Sequence, residues 1–240
     1  GTAKGLLAIP GDYDGDLKRW SVAEGLPSPR VISLTSRGSR VWAGTGAGLV
    51  VLEYAQANPQ AVTAAGTHPI DQLYRLPGRP DALLYRANHQ VWLLSGDAPV
   101  SLGRGQDMTF DMGRMRVYRL EGNQVFGQSL TDENGRWEWL QQDAELVATD
   151  SDLLLSKQVY GLSMWDLGSG EEALVVSTDR AMNVLQGHYF EALALPFAEQ
   201  RGGMAVGPRH SFSDSRGVVV LSDEGVYTRL GEGAQQLQQA

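Results

Sequence analysis

The chain contains no cysteine, which excludes disulfide bonds and cysteine-ligated metal centres and leaves its compartment open. No apolar run approaches the ~20 residues that a membrane-spanning helix needs, so we expect no membrane insertion by this segment. A signal peptide is also missing. Because Gly1-Thr2 resembles the edge of a piece cut from a longer protein, an earlier export signal stays compatible with the sequence.

The short motifs of catalysis are missing as well. The histidines at 68, 89, 188 and 210 form no HxH or HExxH pair, and no G-x-S-x-G hydrolase elbow is present. Gly44–Gly48 has the composition of a phosphate-binding loop, but it joins two predicted strands and lacks the helix N-terminus that binds phosphate. We therefore expect a protein that is not an enzyme. A glycan hydrolase or lyase, which would need converging carboxylates, is the weaker alternative.

Basic residues are outnumbered, and the net charge of −8 argues against nucleic-acid binding, which needs basic clusters. Residues 1–120 hold 13 basic and 10 acidic groups, whereas residues 121–240 hold 7 and 18. If the fold is a ring, one side would be acidic and could attract a cationic partner. The alternative is scattered charge that serves solubility only.

Glycine is abundant instead, with 29 in 240 residues, and it separates short apolar runs. The clearest case is residues 31–53, where VISL, RVWAG and GLVVLE are divided by Arg37-Gly38-Ser39 and Gly46-Ala47-Gly48. Valine, isoleucine and tryptophan favour strands, and glycine accepts the positive φ of tight hairpin turns. The stretch therefore predicts three consecutive antiparallel strands.

The same arrangement recurs along the chain at a mean spacing of about 35 residues, which indicates a radial β-array. We predict an all-β fold, a β-propeller of four-stranded antiparallel blades, forming one domain over residues 1–240, whether whole or a piece of a larger protein. Seven blades fit best and six are the alternative. Besides the first stretch, the predicted hairpins join Gly5–Ile9 to Leu17–Trp20, Leu83–Tyr85 to Val91–Leu94, Val117–Leu120 to Val125–Phe126, Leu153–Leu155 to Val159–Tyr160, Leu174–Val176 to Met182–Leu185, and Val218–Leu221 to Val226–Tyr227.

One blade resembles the repeat of the two-component-regulator propellers, which carries GL-x-x…I-x-S-L…G-x-h-W-h-G-T-x-x-G-L. The matching residues are Gly25, Leu26, Ile32, Ser33, Leu34, Trp42, Gly44, Thr45, Gly48 and Leu49. Regulator propellers of this family are typically periplasmic sensor domains of bacterial membrane receptors, and glycan fragments are their usual inferred ligands. The resemblance implies a non-catalytic, ligand-binding sensor module in signal transduction, periplasmic or extracellular. A protein-interaction scaffold in a bacterial envelope assembly is the alternative.

Two local motifs add weaker indications. Asp12, Asp14 and Asp16 alternate around a glycine bend and could converge on calcium, although a polar turn explains the same residues. No other cofactor is expected. Thr131–Trp137 resembles the Asp-box of sialidase-like propellers, with its glycine one place late. Because that box is a structural turn, it supports a propeller rather than a reaction.

Binding in propellers usually occurs where loops converge at one mouth of the central channel. We predict that this mouth takes the connections into each first strand and the turns between second and third strands. The candidate binding residues there are Arg30, His68, Asp71, Asn88, His89, Arg104, Asp107, Asn123, Arg209 and Glu224. Trp137 and Trp139 share one face of a predicted strand and form a candidate interaction patch. The expected partner is a protein or a small glycan-like ligand.

Overall fold

The computed structural model describes residues 4–8, 17–53, 58–78, 81–96, 98–133, 136–139, 145–149, 158–166, 172–178, 182–186, 189–193, 211–214, 217–221, 227–230 and 236–237. Within these residues the chain is all-β apart from a short 3₁₀ helix at Thr63–Ala65. It divides into two compact units, Gly1–Gly103 and Arg104–Ala240. Among the residues described, no helix has the length and apolar character to cross a membrane.

The first unit contains three antiparallel sheets. A two-stranded sheet pairs β1 (Leu6–Ala8) with β2 (Lys18–Trp20). The next sheet has the order β3 (Val31–Arg37), β4 (Arg40–Thr45), β5 (Gly48–Glu53) and β6 (Gln60–Ala61). The third has the order β7 (Ile70–Arg75), β8 (Leu83–Ala87), β9 (Gln90–Leu94) and β10 (Pro99–Arg104), the last strand ending at the boundary of the unit.

The second unit contains three more antiparallel sheets. The first consists of β11 (Asp107–Asp111), β12 (Arg116–Glu121), β13 (Gln124–Glu133) and β14 (Arg136–Trp139), with β15 (Glu145–Thr149) also on β13. The second is β16 (Val159–Asp166), β17 (Glu172–Thr178), β18 (Met182–Gln186) and β19 (Tyr189–Leu193). The third is β20 (Ser211–Asp214), β21 (Gly217–Leu221), β22 (Tyr227–Leu230) and β23 (Gln236–Leu237).

The predicted strands in residues 31–53 are confirmed as the β3-β4-β5 meander. Five of the other hairpins are confirmed as β1-β2, β8-β9, β12-β13, β17-β18 and β21-β22. The Asp-box-like segment is the β13-β14 hairpin, in which Asp132 pairs with Trp137. The repeated four-stranded pattern of the prediction is therefore present.

The hairpin predicted to join Leu153–Leu155 to Val159-Tyr160 stays a prediction, because Leu153–Leu155 lies outside the described residues. Val159 begins β16, which pairs with β17 from Val159↔Thr178 to Asp166↔Glu172. The described residues form six sheets, and the count of seven blades stays a prediction.

Within each unit, successive sheets lie with their first strands side by side. In the first unit β3 contacts β7, and in the second β16 contacts both β11 and β20. The facing sheets of the first unit bury one apolar cluster that includes Trp42, Leu49, Ile70, Leu73 and Tyr85. Each such side chain contributes roughly 1.5–3 kcal/mol on burial. Trp42 of the repeat signature thus packs between the two sheets.

The contact between β3 and β7 is close and polar. The Ser33 hydroxyl donates a hydrogen bond of 3.0 Å to the carbonyl oxygen of Ile70. Gly44 is the β4 partner of Ser33, and a Cβ built on Gly44 would meet the Ser33 hydroxyl and come within 2.5 Å of the Ile70 oxygen. The glycine of the repeat signature is therefore required by the approach of the next sheet.

We predict that Gly44→Ala destabilises the protein, because the added methyl would force β3 and β7 apart. Overpacking of this kind costs about 1–3 kcal/mol. The free energy of unfolding in urea measures the effect. Gly38→Asn is the matched control, since Gly38 has φ 57°, a conformation that asparagine tolerates, and nothing lies within 4 Å of a Cβ there. Equal stability of G44A and wild type would contradict this account of the contact.

Candidate functional site

The predicted mouth residues of the first unit lie at one end of its sheets. Arg30 directly precedes β3, and its carbonyl oxygen accepts a 2.9 Å hydrogen bond from the amide of Gly46 in the β4-β5 turn. His68 precedes β7, and Asn88-His89 forms the turn between β8 and β9. In an antiparallel sheet the connection into the first strand and the second turn lie at the same end. Arg30, His68, Asn88 and His89 are all exposed there.

Asp71 is engaged within its own sheet. The Arg86 guanidinium donates two hydrogen bonds to the carboxylate, from Nε to Oδ1 at 2.9 Å and from Nη2 to Oδ2 at 2.6 Å. The side chain of Arg86 is only 9% exposed, whereas that of Asp71 is 30% exposed. Asp71 thus neutralises a buried cation in a bidentate pair, and its main role is structural.

A pocket of about 280 Å³ lies beside these residues, between the sheet β7-β10 and the segment that follows β6; we call it the Trp92 pocket. Its floor comes from β8 and β9, and the 3₁₀ helix with the connection to β7 closes one side. The residues that line it are Ala64, Ala65, Gly66, His68, Tyr85, Ala87, Asn88, Gln90, Trp92 and Pro99. None of them is an aspartate, glutamate, lysine or arginine.

Two aromatic rings form a wall of the Trp92 pocket. Tyr85 and Trp92 are cross-strand partners and stack with ring centroids 6.4 Å apart and planes inclined by 15°. Trp92 is half-buried, so part of its ring remains available for contact. Tyr85 is buried, and this desolvation raises the pKa of its phenol to about 12. The phenol is therefore neutral near pH 7 and can donate a hydrogen bond.

The polar rim of the pocket has a fixed backbone. Asn88 and His89 have φ angles of 53° and 57°, as a type I′ hairpin turn requires. Glycine is the usual second residue of this turn. Histidine occupies that position here and adopts a left-handed conformation, which is strained for a residue with a side chain. Behind them, the Gln90 side-chain amide donates a 2.6 Å hydrogen bond to the Ser101 hydroxyl, which holds the glutamine in place.

The predicted mouth residues of the second unit serve mainly to join sheets. Asp107 is fully buried, and its carboxylate accepts hydrogen bonds from the amides of Met108 at 2.9 Å and Leu162 at 2.7 Å. The Asn123 side-chain oxygen accepts one from the amide of Val159 at 3.1 Å. The hydrogen bonds from Leu162 and Val159 tie the β11-β15 sheet to β16. Arg104 is exposed, and its carbonyl oxygen accepts a hydrogen bond of 2.8 Å from Arg119.

Sequence reasoning missed a second concavity of the first unit, an apolar groove of about 460 Å³ that we call the Leu7 groove. It lies between the two-stranded sheet and the β3-β4 turn, at the end of the β3-β6 sheet away from Gly46. Leu7 and Leu34 are 46% and 43% exposed. The lining residues are Leu6, Leu7, Ala8, Trp20, Leu34, Thr35, Ser36, Gly38, Ser39, Val41 and Leu52. The order of apolar and polar residues in β1 and β3 did not indicate that each strand leaves a leucine exposed.

Several candidate residues cannot be placed. Asp12, Asp14, Asp16, Arg209 and Glu224 lie outside the described residues. Among those that are described, no group of three or more acidic or histidine side chains could hold a metal ion. Trp137 and Trp139 occupy alternate positions of β14, the last strand in its sheet order, and their side chains lie outside what the structure describes.

Comparison with known proteins bears on the fold. No family model and no curated protein matches the chain. Among solved structures, the β-propeller domain of Cps50 (Swd1) from Myceliophteria thermophila has a TM-score of 0.60, 9% identity, and covers 98% of this chain and 82% of its own. The fold is that of a β-propeller. The described four-stranded sheets are thus propeller blades.

Two bacterial proteins also have similar structures. One is the extracellular domain of the putative hybrid two-component system BT4673 from B. thetaiotaomicron, with TM-score 0.53, 11% identity and coverage of 95% of this chain. The other is PorZ of Porphyromonas gingivalis, an essential bacterial surface component of the type-IX secretion system, with TM-score 0.51, 17% identity and 95% coverage. The chain spans 29% of the length of each of these structures.

The burial of Tyr85 gives a pH prediction. Because burial raises its pKa from 10.0 to about 12, the folded state keeps a proton that the unfolded chain loses above pH 10. This contribution to stability is fully present below pH 10 and is lost as the pH rises through 12. Between these values the free energy of unfolding of the wild type should fall by roughly 2 kcal/mol more than that of Tyr85→Phe. Urea unfolding at several pH values measures it, and parallel pH profiles would contradict it.

Proposed function

We propose that this chain is a non-catalytic binding module of an extracytoplasmic sensing protein, with the Trp92 pocket as its ligand site. The observation that carries the proposal is the composition of the pocket, which has a stacked aromatic wall and hydrogen-bonding side chains on a rigid turn. The part of its lining that the structure describes contains no aspartate, glutamate, lysine or arginine. Concave, mostly apolar sites with a few placed polar groups are typical of small-ligand binding. An acid–base pair that would support hydrolysis is not among the lining residues.

The composition also favours one class of ligand. A charged group buried in the pocket would lack an oppositely charged side chain, and such burial is costly. An uncharged, hydroxyl-bearing ring would instead place a face on Trp92 and direct its hydroxyls to Asn88, Gln90 and His68. A small glycan-like ligand has this chemistry, and the resemblance of the Val31–Glu53 blade to regulator propellers supports it independently.

The sensing role and the location rest on similarity. BT4673 provides an extracellular domain of a two-component system with the same fold, and PorZ is a surface component. We infer that this chain also works outside the bacterial cytoplasm and passes ligand occupancy to attached domains. Seven blades remain the blade number that the repeat spacing favours, with six as the alternative.

The test is binding of neutral mono- and disaccharides, measured by isothermal titration calorimetry and by NMR shifts of indole signals. Trp92→Ala should weaken binding about tenfold, because aromatic contact of this kind contributes about 1 kcal/mol or more. Leu34→Ala, a half-exposed apolar change at the Leu7 groove, is the matched control and should bind as the wild type does. Binding that survives in W92A and is lost in Arg30→Ala would place the ligand elsewhere at this end.

A second candidate function, an envelope scaffold, is favoured by the Leu7 groove. The sheet beside the groove has two strands, whereas each other described sheet has at least four, so β1 and β2 could extend by pairing with an added strand. Lys18 and Arg19 on β2 and the exposed Arg37 border the groove and supply positive charge. We propose as occupant an extended partner segment with alternating apolar side chains and acidic flanks.

Synthetic ten-residue peptides with alternating valines test the scaffold proposal, half flanked by glutamates and half by lysines. The glutamate-flanked peptides should bind more tightly, and added salt should weaken them. Leu7→Asp should abolish this binding. Leu17→Asp is the control, because Leu17 is 63% exposed beside β2 and does not line the groove. Equal affinity of both peptide sets, or equal binding by L7D and L17D, would remove the groove as the docking site.

A further inference from the structure

This inference rests on the proposed function, because it concerns what the Trp92 pocket selects. Its starting point is Tyr85, a lining residue of which only 2% is exposed. Among the described residues, its hydroxyl makes no hydrogen bond, and its ring stacks on Trp92. The hydroxyl is not one of the unpartnered polar atoms that are shut off from solvent, so it keeps access to the cavity that Tyr85 lines. A ligand that fills the cavity would cover the hydroxyl, and a covered hydroxyl needs a hydrogen-bond partner.

The position of the phenol is fixed from both sides. Tyr85 belongs to the apolar cluster between the two sheets, where it packs with Trp42 and Leu49, and the nearly parallel indole of Trp92 covers it from the next strand. This packing holds the ring in place, and with it the position of the hydroxyl at the cavity wall. The other polar side chains are less constrained, because His68 and Asn88 are exposed and remain hydrated without a ligand.

We infer that Tyr85 is the specificity-determining residue of the Trp92 pocket, which selects uncharged ring compounds that present an acceptor oxygen to its hydroxyl. A ligand with such an oxygen completes the missing hydrogen bond. A ligand of the same shape without the oxygen leaves the donor buried and unpaired, and sites built in this way reject such analogues most strongly. Hydroxyl, ether and carbonyl oxygens all meet the requirement. Carboxylates do not fit, because the described residues that line the pocket include no lysine or arginine.

The experiment compares parent ligands with analogues that lack one oxygen. Methyl glycosides and each of their monodeoxy forms are titrated into the whole chain, with cyclohexanecarboxylate as an anionic probe. For the wild type, removal of one particular hydroxyl should weaken binding about tenfold or more. Tyr85→Phe keeps the ring and its stack and removes only the unpaired hydroxyl, so it should fold normally. It should bind the parent and that deoxy form equally.

Tyr118→Phe is the matched control. Tyr118 is also buried and its pKa is also raised by burial, but it belongs to the second unit and does not line the pocket, so the variant should discriminate as the wild type does. If wild type binds, W92A weakens binding and Y85F discriminates fully, the inference about Tyr85 fails while the binding function stands. If wild type binds none of the neutral probes, the proposed function itself fails.

Discussion

The structure depends on how closely the first strands of neighbouring sheets can approach. In the first unit this approach is made by the Ser33 hydroxyl on the Ile70 carbonyl, over the bare backbone of Gly44. In the second unit the buried Asp107 carboxylate accepts the amide of Leu162 from the next sheet. Both contacts satisfy strand-end polar groups that the neighbouring sheet would otherwise bury, and an unpaired buried group costs about 1–3 kcal/mol. Polar contacts at the first strands and apolar clusters farther out together join the blades.

That constraint also decides which residues remain for ligands. Asp71 and Asp107 were predicted to bind, yet their carboxylates are occupied by Arg86 and by backbone amides. The Trp92 pocket lies farther out, at the second and third strands of its sheet. There it is bordered by Ala64 and Ala65 of the 3₁₀ helix rather than by a neighbouring strand. The described residues that line it carry no carboxylate, and Asp71 nearby is paired with Arg86 within its sheet.

Local chemistry made much of the fold predictable from the sequence. Turn residues such as Gly122-Asn123 and Asn88-His89 stand between apolar runs, so six predicted hairpins appear with their expected partners. The strand at Val159 is present, and its predicted partner Leu153–Leu155 lies outside the described residues. The surroundings of a site are harder to predict from the sequence than its strands. The sequence places His68 and Asn88 at one end of a sheet, but the burial of Asp107 and the stack of Tyr85 on Trp92 depend on contacts between strands.

The two concavities of the first unit differ in the way each can be filled. The Leu7 groove is wide and apolar and lies beside a sheet of two described strands, so an occupant that adds a strand there would gain backbone hydrogen bonds and apolar burial. The Trp92 pocket is smaller and its backbone is already paired in β8 and β9, so an occupant gains only side-chain contacts. A polypeptide therefore suits the groove and a compact molecule suits the pocket. Since the two concavities share no lining residue, both can be occupied without competition.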